Sequence, residues 1–126
     1  MNAILLWFSM LLIFRPVPIS KVVEFLAFDK TNTNIYRVGY DCSNFANDLS
    51  HNAKFVGIEA HRADILFTNE IGHAIVVFKT IDRGMVAVEP QTDAFYYWFE
   101  VGKRLCNIDK SLCIGEEPIR KIIIRD

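Results

Sequence analysis

The sequence predicts an α+β domain in which helices come first and an antiparallel sheet follows. Three observations carry that prediction. Residues 42–56 repeat apolar side chains at helical spacing and stop at Gly57. Beyond Gly57 the apolar residues fall in short runs divided by turn signals, as strands do. The turn Asp82-Arg83-Gly84 separates two such runs, so they pair as a hairpin.

Length and composition set the frame. With 126 residues, the chain suits one globular domain and is too short for two full-sized ones. Its 52% hydrophobic content is enough for a packed core, which argues against disorder. A formal net charge of -1, with Lys and Arg scattered, points away from nucleic acid. The most basic stretch, Arg120-Lys121 and Arg125, reads as strand ends facing water.

The elements follow in order. Ala3 to Phe14 is uncharged and apolar except for Ser9, and Arg15-Pro16-Val17-Pro18 stops it. That run is too short to cross a bilayer and suits a secretory signal or membrane anchor. Residues 1–19 are therefore set apart, the domain is expected over 20–126, and the protein is expected to be secreted or membrane-attached. It would be cytoplasmic if the leading segment is not a signal. Ser20 is expected to cap a helix carrying Val22, Val23, Phe25, Leu26 and Phe28. A polar loop, residues 29–34, leads past Tyr36 and Tyr40 to Asp41-Cys42-Ser43. The next helix buries Cys42, Phe45, Ala46, Leu49, Ala53 and Val56 along one face. Strands are expected over 58–67, 74–78, 85–89, 95–101 and 119–125.

Three cysteines are present, Cys42, Cys106 and Cys113. In an oxidising compartment an odd count leaves one thiol unpaired, and Cys106 with Cys113 are the candidate disulfide across a short loop. Cys42 is then the free thiol. It stands at a helix N-terminus, where unpaired N–H groups favour a thiolate. His73 opens a strand after Gly72. If the hairpin centres on Asp82-Arg83, Glu89 is the direct or diagonal cross-strand neighbour of His73, within side-chain reach. A carboxylate there fixes the imidazole tautomer. Cys42, His73 and Glu89 thus form a candidate triad of nucleophile, base and orienter. Gln91 and Asp93 are alternative orienters, and the hydroxyls of Tyr36 and Tyr40 are oxyanion candidates beside the Cys42 N–H. His51 and His61 read as solvated. No glycine-rich phosphate loop and no metal-ligand spacing occurs, so neither cofactor nor metal is expected.

Taken together, Tyr40-Asp41-Cys42-Ser43-Asn44-Phe45-Ala46, Gly57-Ile58, Gly72-His73-Ala74 and Val88-Glu89-Pro90 resemble the core of the transglutaminase-like family. The longer match, with residues 29–34 and 89–93, resembles its small microbial members, archaeal ones especially. The resemblance implies a papain-like core with N-terminal helices on an antiparallel sheet. It also implies a cysteine-dependent acyl transfer on amide bonds of a peptide or protein substrate, through a thioester. Members commonly carry Asp where Glu89 stands, and an aromatic residue where Ile75 stands. Two alternatives stay open: a peptidoglycan peptidase of the NlpC or CHAP type, and a catalytically inactive binding or structural module.

Overall fold

The structure is a computed structural model, and it describes residues 15–96, 99–107, 113–114 and 117–125. The leading apolar run, 3–14, lies outside the described residues. Helix α1 spans Ile19–Phe28, a 3-10 turn follows at Thr31–Thr33, and α2 spans Cys42–Phe55. Strands follow as β1 (Ala60–Phe67), β2 (Gly72–Thr80), β3 (Gly84–Glu89), β4 (Ala94–Phe95), β5 (Leu105–Cys106), β6 (Cys113–Ile114) and β7 (Ile119–Ile124). The main sheet runs β4-β3-β2-β1-β7 with every pair antiparallel, and β5 pairs with β6 separately. This is an α+β arrangement.

Both ends of α2 are set by local chemistry. Asp41 accepts from the Ser43 N–H, and Asn44 Oδ1 accepts from the Asp41 N–H at 3.0 Å, a reciprocal capping box. At the other end Gly57 adopts φ 87. That left-handed geometry lets the Gly57 N–H reach Lys54 O and the Ile58 N–H reach Ala53 O, which closes the last turn. Between the caps, Ala46, Leu49 and Ala53 face the sheet and meet Ala60, Ala74, Val76, Phe78 and Val88. The alanines let helix and strands approach closely. Helix α1 adds Val22 and Leu26 to this layer.

The other face of the sheet has its own apolar layer, built from Ile65, Phe67, Ile75, Val77, Ala87, Tyr96, Leu105 and Ile119. Strand β2 is covered on both sides, which is why residues 74–78 read as an unbroken apolar run. Its hairpin with β3 pairs Val76 with Val88 and Thr80 with Gly84, so the loop centres on Asp82 itself rather than between Asp82 and Arg83. Gly84, at φ 65, supplies the left-handed residue that closes the three-residue loop. Cys106 and Cys113 are joined by a disulfide across the β5–β6 pair.

Two expectations need correction. Ser20 does not cap α1: the helix begins at Ile19 after Pro18, with no side-chain cap of its own. The Ile19 N–H is satisfied instead at 2.9 Å by Asp82 Oδ1, from the β2–β3 turn. The aromatic run does not extend as a strand to residue 101. Among its described residues it pairs through Phe95, the Tyr96 N–H donates to Ala87 O, and Tyr96 bridges to Asn107; the chain turns near Gly102, where φ is 90. Within that run residues 97–98 lie outside the described residues. Residues 15–18 lie against the domain: Arg15 and Val17 bridge to Ile58 and Thr80 in parallel, and the Ile81 N–H donates to Val17 O at 3.0 Å. No helix among the described residues is long and apolar enough to cross a membrane.

Candidate active site

The thiol of Cys42 is free, half-buried and placed on the first residue of α2. Asp41 occupies the Ser43 and Asn44 N–H groups, and Phe45 N–H donates to Asp41 O at 3.1 Å. The Cys42 N–H is left with no partner among the described residues, as an oxyanion donor must be.

Cys42 lines a cleft of about 430 Å³ between the start of α2, strands β1 and β7, and the opening of β2. Ser43, Arg62, Asp64, His73 and Lys121 share its walls. A larger cleft, about 700 Å³, lies by Arg15, Lys21 and Ile81 and carries neither thiol nor imidazole.

His73 follows the first residue of β2, so it stands at the end of the sheet. Its Nε2 meets Glu89 Oε1 at 2.6 Å, and the two side chains are only 12% and 8% exposed. Register explains the pairing. Glu89 falls opposite Ile75, which makes it the diagonal neighbour of His73 on the same sheet face. With Nε2 donating to the carboxylate, Nδ1 keeps its lone pair and is the ring atom available as a base.

Two further donors hold Glu89: the Tyr96 hydroxyl at 3.2 Å and the Gln91 backbone N–H at 3.4 Å. Burial, then the Glu89 charge and the bond to it, push the Tyr96 phenol far above its usual range, so it remains a donor. Tyr96 joins this group only through the fold. The signal was the tight β3–β4 turn, which puts Tyr96 beside Ala87, on the Glu89 face.

Alternation along β2 has a consequence for the site. Ile65 pairs with His73, and both share the side of Ile75 and Val77, whereas Cys42 packs against the helix-side layer. His73 connects the two sides: it lines the Cys42 cleft and a second one, about 230 Å³, with Glu89, Gln91 and Tyr96.

The remaining candidates fall elsewhere. Tyr36 and Tyr40 do not line the cleft. Their rings pack on Phe45, with centroids 6.5 and 4.8 Å away. The Tyr40 hydroxyl donates to Asp48 Oδ2 at 2.6 Å, and the phenol is pushed up to about 12 by burial first and then by Asp48. Gln91 meets Glu89 through its backbone. Asp93 makes no bond to His73: its backbone is left-handed at φ 63, and its Oδ1 is buried without a partner. Burial, with Asp29 nearby, raises its carboxyl to about 6. His61 is less open than its sequence context suggests, because its ring nitrogens meet Arg125 O and Glu59 Oε2, both at 3.2 Å.

Arg62 was also unassigned. Its Nε reaches Asp64 Oδ1 at 2.7 Å, Nη1 reaches Asn47 Oδ1 at 3.1 Å, and Nη2 reaches Ser43 Oγ at 3.1 Å. The guanidinium thereby clamps the first turns of α2 to β1. Arg125 bonds the other oxygen of Asp64. Burial alone would raise the Asp64 carboxyl, but the bonds from Arg125 and Arg62 outweigh it and hold the group below the usual range. Among the described residues no group of three His, Cys, Asp or Glu side chains is disposed to hold a metal.

No family model, no curated protein and no solved structure matches the chain.

Proposed function

We propose that this chain is a cysteine-dependent acyl-transfer domain with a papain-like, transglutaminase-like core, acting on amide bonds of peptides or proteins. The observation that carries the reading is the buried His73–Glu89 pair, 2.6 Å apart, at the wall of the cleft that holds the free thiol. In this mechanism His73 Nδ1 takes the Cys42 proton. The sulfur attacks the amide carbonyl carbon, and the developing oxyanion receives the Cys42 N–H. The C–N bond then breaks, His73 returns the proton to the departing amine, and a thioester remains. Water resolves it in a hydrolase and a second amine in a transamidase; the small size of the domain and its microbial resemblance favour water. Glu89 fixes the ring tautomer throughout. The Cys106–Cys113 disulfide supports an oxidising compartment, in keeping with secretion or membrane attachment.

The test is alkylation of Cys42 by iodoacetamide at pH 6, beside a free-cysteine peptide. An activated thiol reacts faster than the peptide and loses that advantage in His73→Ala. Equal rates for protein and peptide would remove the enzymatic reading. A second reading, a non-catalytic binding module, is favoured by the alternation that sets His73 on the sheet side away from α2. It predicts an alkylation rate indifferent to His73→Ala.

A further inference from the structure

We propose that the substrate carries a carboxylate close to the amide that Cys42 attacks, and that Lys121 is the residue that selects it. The inference rests on the acyl-transfer reading and extends it to substrate class.

The charges around the cleft are unequal. Asp64 is the only carboxylate among the described residues lining it, and two guanidinium groups, Arg62 and Arg125, already share its oxygens. Lys121 also lines the cleft, from β7, and its ammonium has no partner among the described residues. Among the described residues lining the cleft, two positive side chains, Arg62 and Lys121, therefore stand against one negative. The nearby acids do not redress this. Asp41 is turned into the start of α2, where it accepts from Ser43 N–H. Glu89 is bound behind His73, and Glu70 pairs with Arg120 at 3.2 Å.

On the β1 and β7 side the wall is mainly aliphatic. Leu66 pairs with Lys121 and Ile123 pairs with Asp64 across β1 and β7, and both line the cleft with Ile65. A cation at the end of an aliphatic wall fits a carboxylate on a short aliphatic stem. Such a group comes either from an acidic side chain or from a peptide C-terminus. Lys suits this role better than Arg62, each of whose three nitrogens already donates to a protein partner.

The experiment compares alkylation of Cys42 by iodoacetate, an anion, and iodoacetamide, its neutral analogue, in the full chain at one pH and low salt. The ratio of the two rates reads the charge of the cleft, and the absolute iodoacetamide rate reads thiol activation, so the two proposals fail separately. Relative to a free-cysteine peptide, the ratio is expected to rise about three- to ten-fold. It should fall to the peptide value in Lys121→Gln and below it in Lys121→Glu, and the excess should shrink in high salt. Lys121 is exposed on an edge strand, so both variants should fold. A wild-type ratio equal to the peptide's, or a ratio unmoved by Lys121→Gln, overturns the proposal. Silence toward both reagents does the same, since a cleft closed to a two-carbon acid cannot seat an acidic peptide. Chloroacetyl-Gly-Glu-amide and chloroacetyl-Gly-Gln with a free C-terminus then separate the two carboxylate sources, against neutral chloroacetyl-Gly-Gln-amide. Equal labelling by all three also overturns it.

Discussion

Replacing Asp93 by Asn should make the protein more stable at neutral pH and leave the thiol chemistry unchanged. Asn tolerates the left-handed backbone at φ 63, so the change removes charge without new strain. Burial and the neighbouring Asp29 raise the Asp93 carboxyl from 3.8 to about 6. A carboxyl raised in this way contributes stability that is complete below about pH 3.8 and is lost as pH climbs through about 6. At about 1.36 kcal/mol per pH unit, that interval would be worth about 3 kcal/mol in a sealed interior. Asp93 is only half-buried, so water screens the charge and the expected gain at pH 7 is ~1 kcal/mol. Urea unfolding of both proteins between pH 4 and pH 7 measures it. The Asn variant should lead at pH 7, and the difference should vanish near pH 4. A difference that does not change with pH, or a wild type that leads at pH 7, would refute the reasoning. Iodoacetamide labelling of Cys42 in the same variant should match wild type, because Glu89 and not Asp93 holds His73.

Three further outcomes are expected. Tyr96→Phe removes a hydroxyl that donates to buried Glu89 and should cost about 1–3 kcal/mol in urea unfolding. Leu49→Ala empties fully buried space between α2 and the sheet and should cost about 2–5 kcal/mol, read by calorimetry. Reducing the disulfide frees a loop spanning a separation of 7 residues and should cost roughly 2 kcal/mol, seen as a lower denaturation midpoint in dithiothreitol.

Much of the fold was legible because local chemistry dictated it. Asp41-Cys42 and Gly57 mark the two ends of α2, and those residues are read directly from the sequence, whereas the Asn44 half of the capping box is not. The β2–β3 hairpin followed from one turn, and with it the approach of Glu89 to His73. Features that depend on distant partners stayed hidden. The cap of α1 comes from Asp82, 63 residues along, which no local pattern reveals. Residues 95–101 looked like strand because aromatic side chains favour sheets. Tyr96 and Phe99 instead serve the second layer, and short segments suffice for that. Arg62 and Lys121 looked like ordinary surface cations, and only the folded sheet places them beside Cys42.

The bond from Ile19 to Asp82 ties the order of assembly to tertiary structure. A ten-residue helix without a side-chain cap of its own is marginal in water, so α1 depends on tertiary contacts, the Asp82 acceptor among them. Amide exchange at the first turn of α1 should then report opening of the hairpin tip, and loosening residues 81–83 should fray that turn while Val22 and Leu26 hold the rest of the helix on the sheet.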